Sequence, residues 1–87
     1  MPFTFDNKTE ADIVVVYTEI NPNDKNPKQK GQEVHTTVKK GGKDTIKEDL
    51  LDGSSVKVTC LGTTSTYKYP GGKKSLVIEG LKKASFH

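Results

Sequence analysis

Hydrophobic residues in this chain alternate with polar ones rather than recurring at helical spacing. The pattern is anchored by one stretch, Ile13-Val14-Val15-Val16-Tyr17, its longest unbroken apolar run. β-branched and aromatic side chains fall on both alternating faces of this stretch. Such a strand needs cover on both sides, or a central place in a sheet packed on a second layer.

The rest of the chain reads as further strands. Phe3-Thr4-Phe5 sets two phenylalanines on one face and predicts a short terminal strand, followed by turn chemistry at Asp6-Asn7-Lys8-Thr9. Glu33 to Lys39 alternates cleanly, with Val34, Thr36 and Val38 on one side and His35, Thr37 and Lys39 on the other. After a turn at Lys40-Gly41-Gly42-Lys43, Asp44 to Glu48 forms a weaker strand, with Ile46 its only strong hydrophobe. Glu48-Asp49-Leu50-Leu51 is an alternative helical turn, too short to stand as a helix. Asp52-Gly53 is a strong turn signal.

The last third is a meander. Ser55 to Leu61 places Val56, Val58 and Cys60 on one face, and Gly62-Thr63 turns the chain. In Ser65 to Tyr69, Tyr67 and Tyr69 share a face opposite Thr66 and Lys68. Pro70-Gly71 suits the central positions of a type II turn, where Pro fixes φ and Gly takes the positive φ. Ser75 to Glu79 is a final strand, and Leu81 and Phe86 are expected to tuck a short tail onto the core.

Seven strands with regular turns and no amphipathic helix predict an all-β chain. Residues 1–87 form one domain, a small antiparallel β-sandwich comparable in size to an immunoglobulin domain, with a small β-barrel as the alternative. The resemblance stops at element count, because the chain has one cysteine and no tryptophan. The long polar loop at 21–32 interrupts the pattern with twelve residues and not one hydrophobe. Loops of this kind are solvated and disordered or else functional. On the second reading Asp24 and Lys25 are binding candidates.

Composition narrows the function. Apolar residues are 31% of the chain, so the core is thin and losing one large side chain removes much of the stability. A single cysteine permits no intrachain disulfide, which for so thin a core points to a reducing, cytoplasmic setting. Met1-Pro2-Phe3-Thr4 carries no secretory h-region, and no apolar stretch is long enough to span a membrane. The sequon Asn7-Lys8-Thr9 matters only in a secreted chain. All fourteen basic residues are lysine, and the excess lies in residues 39–87, with ten lysines against five acids. Without arginine's planar fork, sequence-specific nucleic-acid recognition is not expected.

No constellation supports catalysis. Cys60, in phase with Val56 and Val58, reads as a core thiol behaving as a small hydrophobe. His35 falls on a polar strand face, and His87 is the last residue. Zinc lacks a ligand set, and no cofactor motif is present. Calcium has a thin case in Glu19, Asn21, Asn23 and Asp24, with Asp6, Asn7 and Asp12 near the same end, opposed by Lys25, Lys28 and Lys30. Lys40, Lys43, Lys73 and Lys74 lie on turns and form a polyanion-binding patch if they converge at one end of the sandwich. Otherwise they keep turns and sheet edges soluble. Tyr67 and Tyr69 are either a recognition platform for a sugar ring or a protein, or part of the core.

The expectation is therefore a non-catalytic binding module that recognises a protein or glycan partner through loops or one sheet face. The alternative is a self-assembling homo-oligomer in which an edge such as Phe3-Phe5 or Ser75-Glu79 pairs between copies.

Overall fold

The structure, a computed structural model, describes residues 2–20 and 31–87. Eight strands lie among them: β1 (Phe3–Asn7), β2 (Ile13–Ile20), β3 (Gly31–Val38), β4 (Lys43–Ile46), β5 (Ser55–Cys60), β6 (Thr63–Lys68), β7 (Ser75–Gly80) and β8 (Lys83–Phe86). They form two four-stranded sheets, ordered β4-β1-β7-β8 and β3-β2-β5-β6. The fold is a small β-sandwich. Every pairing is antiparallel except β1 with β7, which run parallel.

β2 takes the central position that its composition demands. Ile13, Val15 and Tyr17 face inward and are buried. On the outer face, Val14 stands between Thr37 and Thr59, and Val16 between His35 and Lys57. Val14 remains 41% exposed, so this face is flanked by neighbouring side chains and not capped by a layer. The inward faces of β3 and β5 are those predicted by alternation, with Val38, Val56, Val58 and Cys60 all buried.

An aromatic cluster joins the layers. Phe5 of β1 meets Tyr17 of β2 at a ring separation of 5.0 Å, and Phe3 packs edge-on to Tyr69 at 5.6 Å. Phe86 closes the group 5.5 Å from Tyr69.

Several expectations change. The C-terminal tail is an eighth strand, which brings Phe86 to the core as expected while leaving Leu81 on an exposed turn. Residues 48–51 do not close a helical turn. Leu50 is buried and bridges to Glu19, while Leu51 N–H donates to the Thr18 carbonyl at 2.9 Å, so this segment pairs with the end of β2. Gly31 and Gln32 belong to β3, pairing with Ile20 and Glu19, and not to the loop before it.

The edges expected to join copies are interior. β1 lies between β4 and β7, and β7 between β1 and β8, so both are paired along both sides. Among the described residues the sheet edges are β3, β4, β6 and β8. No helix among these residues is long and apolar enough to cross a membrane.

Candidate binding site

Strand register sorts the connections into two ends. One end, called the tip end here, gathers residues 8–12, 39–42, the Leu61-Gly62 turn and the Leu81-Lys82 turn. The other, the clasp end, holds residues 47–54 and 69–74.

The clasp end is organised by Tyr69. Its ring is fully buried, and its hydroxyl lies 2.8 Å from the Lys73 carbonyl and 3.0 Å from Asp49 Oδ1, both acceptors. The same oxygen accepts the Lys73 N–H at 3.2 Å. Burial, and then the Asp49 carboxylate, push the hydroxyl's pKa up to about 12. Backbone bonds from Gly53 N–H to the Tyr69 carbonyl (2.8 Å) and from Tyr69 N–H to the Ser54 carbonyl (2.9 Å) complete the seam. Gly71 takes φ +89°, the positive angle expected of it after Pro70.

Tyr69 is thus a core residue and cannot serve a surface platform. Tyr67, on the same inward face, is half-buried against the core. The two tyrosines share a face as the alternation implied, and that face is the inner one.

The tip end has a rigid floor and exposed tips. The floor is Asn7, fully buried at the end of β1. Its Nδ2 donates to the carbonyls of Ala11 (2.8 Å), Val38 (3.0 Å) and Lys39 (3.2 Å), and its Oδ1 accepts from Thr9 N–H (2.9 Å) and Thr9 Oγ1 (2.6 Å). One amide therefore ties the β1–β2 connection to the end of β3. A glycan cannot occupy a nitrogen so enclosed, which removes the sequon from consideration. Beside it, Asp12 Oδ1 accepts the Lys40 N–H at 2.9 Å, and chiefly this bond holds the Asp12 carboxyl below its ordinary range.

Above the floor stand two hairpin tips. Cys60 pairs with Thr63, so the β5–β6 loop is the two residues Leu61-Gly62, with φ +50° and +77°. Two positive φ angles define a type I′ turn, which Asn-Gly or Asp-Gly suits best. Leucine there costs about 1–2 kcal/mol in backbone strain. Leu61 is also 75% exposed and Leu81, at the neighbouring tip, 52%. Between the tips lies a cleft of about 380 Å³ lined by Ala11, Cys60, Leu61 and Leu81 together with the charged Lys8, Glu10 and Glu79. Sequence reasoning placed Leu61 at the end of a strand and so missed this site. The signal was Leu-Gly where a polar turn residue was due.

The lysine patch does not assemble. Lys40 and Lys43 sit at the tip end, Lys43 opposite Asp6. Lys73 and Lys74 sit at the clasp end, where the Lys74 carbonyl accepts the Thr4 N–H at 3.0 Å. The calcium grouping separates likewise, with Asp6, Asn7 and Asp12 at the tip end and Glu19 near Leu50 at the other. Asn21, Asn23, Asp24 and Lys25 lie outside the described residues. Among the described residues no group of three or more His, Cys, Asp or Glu side chains is placed to hold a metal ion.

His35 Nε2 meets Glu33 Oε1 at 3.0 Å with both side chains largely in solvent. Ser85 Oγ and His87 Nε2 also lie 3.0 Å apart, on an exposed stretch of sheet edge. Among the described residues no carboxylate bonds this imidazole, so the pair lacks the orienting third group of a nucleophilic triad. No protein-family model, curated protein or solved structure matches the chain.

Proposed function

We propose that this protein is a non-catalytic binding module whose tip end receives an apolar side chain of a protein partner. Leu61 carries the reading. It is exposed, it lies outside the hydrophobic core, and it sits in a strained backbone conformation. Such outliers persist where function uses them. Leu81 and the cleft between the tips supply the matching apolar surface, and Asn7 fixes the loop beneath it. A protein partner is favoured over a glycan because the cleft offers aliphatic walls and no aromatic face, and Tyr67 and Tyr69 point into the core. Burying the two leucines against a partner is worth about 1.5–3 kcal/mol each if complete.

The test compares three proteins in capture from an extract of the source cells. The variant Leu61→Asn with Leu81→Ser is expected to lose the captured protein. Lys73→Gln with Lys74→Gln, at the opposite end, is expected to keep it. Equal capture by the leucine variant rejects the tip end as the binding surface.

A further inference from the structure

We propose that strand β6 is a homodimerisation edge, pairing antiparallel with β6 of a second copy across a two-fold axis at Ser65. A sheet edge left unprotected invites another strand, and proteins normally guard edges with charge, shortness, proline or bulges. Three of the four edges here are guarded. β4 and β8 are four residues each, β4 carries Lys43 and Asp44, and β8 begins at Lys83 beside a register irregularity at Ile78/Gly80. β3 is longer but presents Glu33 and His35.

β6 is different. In a chain that is 29% charged, Thr63-Thr64-Ser65-Thr66-Tyr67 carries no charge, proline or glycine. It pairs with β5 in unbroken register from Thr63 to Lys68, and no strand among the described residues pairs with its other side. Its first five residues are a regular, uncharged template for one more strand, and the exposed Lys68 stands at their end.

The composition of β6 selects its own copy as that strand. Residues opposite each other in an antiparallel pair point to the same face, so a two-fold axis must pass through a residue and not between two. With the axis at Ser65, Thr64 faces Thr66 of the second copy and Thr63 faces its Tyr67, and Lys68 stays outside the paired segment. Thr64 and Thr66 are exposed on the outer face. Cross-strand threonine pairs already bond on the outer faces of both sheets, Thr59 with Thr64 at 2.8 Å and Thr4 with Thr45 at 3.0 Å. The symmetric Thr64–Thr66 pairs repeat that contact twice. A foreign peptide would need a charge or a side-chain pocket to be chosen, and the outer face of Thr63 to Tyr67 offers only hydroxyls and backbone.

Sedimentation equilibrium over a wide concentration range tests this. The native chain is expected to show a reversible monomer–dimer equilibrium that high salt leaves nearly unchanged. Thr64→Lys with Thr66→Lys sets like charges opposite each other twice and is expected to weaken the dimer by about tenfold or more. Thr64→Lys with Thr66→Glu makes both contacts complementary and is expected to keep the dimer, now weakened by salt. Leu61→Asn with Leu81→Ser leaves β6 intact and is expected to dimerise normally. Thermal melts confirm folding of each variant. A native chain that stays monomeric throughout overturns the proposal. So does equal dissociation, or equal persistence, of the two threonine variants.

Discussion

The two ends of this sandwich are built from similar material and arranged in opposite ways. At the clasp end a tyrosine, the largest buried side chain, is drawn into the core and its hydroxyl joins two connections. At the tip end two leucines of comparable hydrophobicity are held out on hairpin turns, one against its backbone preference. Among the described residues of the clasp end the Tyr69 ring is inside the core and its hydroxyl and backbone groups are paired. The tip end departs from this pattern above a floor that keeps to it. In a small domain with a thin core, such a departure is affordable only where the structure beneath is firm. Asn7, with donor and acceptor groups both satisfied, provides that firmness.

Replacing Tyr69 with alanine should have the largest effect, about 3–5 kcal/mol of lost stability. Urea unfolding followed by circular dichroism measures it, and a loss below about 1 kcal/mol would mean that the clasp does not stabilise its end. Tyr69→Phe isolates the hydroxyl. The folded state raises that hydroxyl's pKa from 10.0 to about 12, so it favours the neutral form. The resulting stability is complete below pH 10 and is lost as pH rises from about 10 through 12. The phenylalanine variant, which lacks only the hydroxyl, is the reference. The native chain should lose stability more steeply than the variant across this window.

Asn7→Ala comes next, at about 2–3 kcal/mol, because it strands buried carbonyls and the Thr9 donors. Amide hydrogen exchange should rise in residues 8–12 and 38–40 while the clasp end keeps its protection. Uniform loss at both ends would show that the floor is not local to the tips. The smallest effect has the opposite sign. Leu61→Asn should stabilise the fold by about 1 kcal/mol, raising Tm by about 4–8 °C, since asparagine accepts the left-handed region that leucine resists. A destabilised variant would mean that Leu61 packs in a way its exposure conceals.

Much of the sandwich was legible in the alternation. Val56, Val58 and Cys60 each fell on the inner face that period two assigned them. Tyr69 faced inward for the same reason, opposite the polar Thr66 and Lys68. Ile13 to Tyr17, by contrast, is apolar on both faces, and only the packing shows that Ile13, Val15 and Tyr17 turn inward. What escaped depended on partners distant in sequence. Asn7 looks like any turn asparagine until Val38, thirty-one residues away, supplies an acceptor. The short β1 looks like a terminal edge, and only the register shows it enclosed by β4 and β7. Leu50 resembles part of a helical turn until Glu19 bridges to it. The tip site was hidden by one boundary, because Leu61 extends the apolar character of Ser55 to Cys60 and belongs to the turn that follows.

The parallel pairing of β1 with β7 gives the molecule a clock. Thr4 pairs with Ser75, so β1 finds this neighbour only after the seventy-one residues that follow Thr4 have been made. At about 5–20 residues per second, a ribosome takes on the order of 4–14 seconds to make the intervening segment. Once residues 43–46 have been made Phe3 and Phe5 can meet β4, but β7 on their other side is still missing. During synthesis, therefore, two rings that end fully buried are sheltered on the β7 side only when that interval closes, and the nascent chain carries Phe3 and Phe5 uncovered there until then.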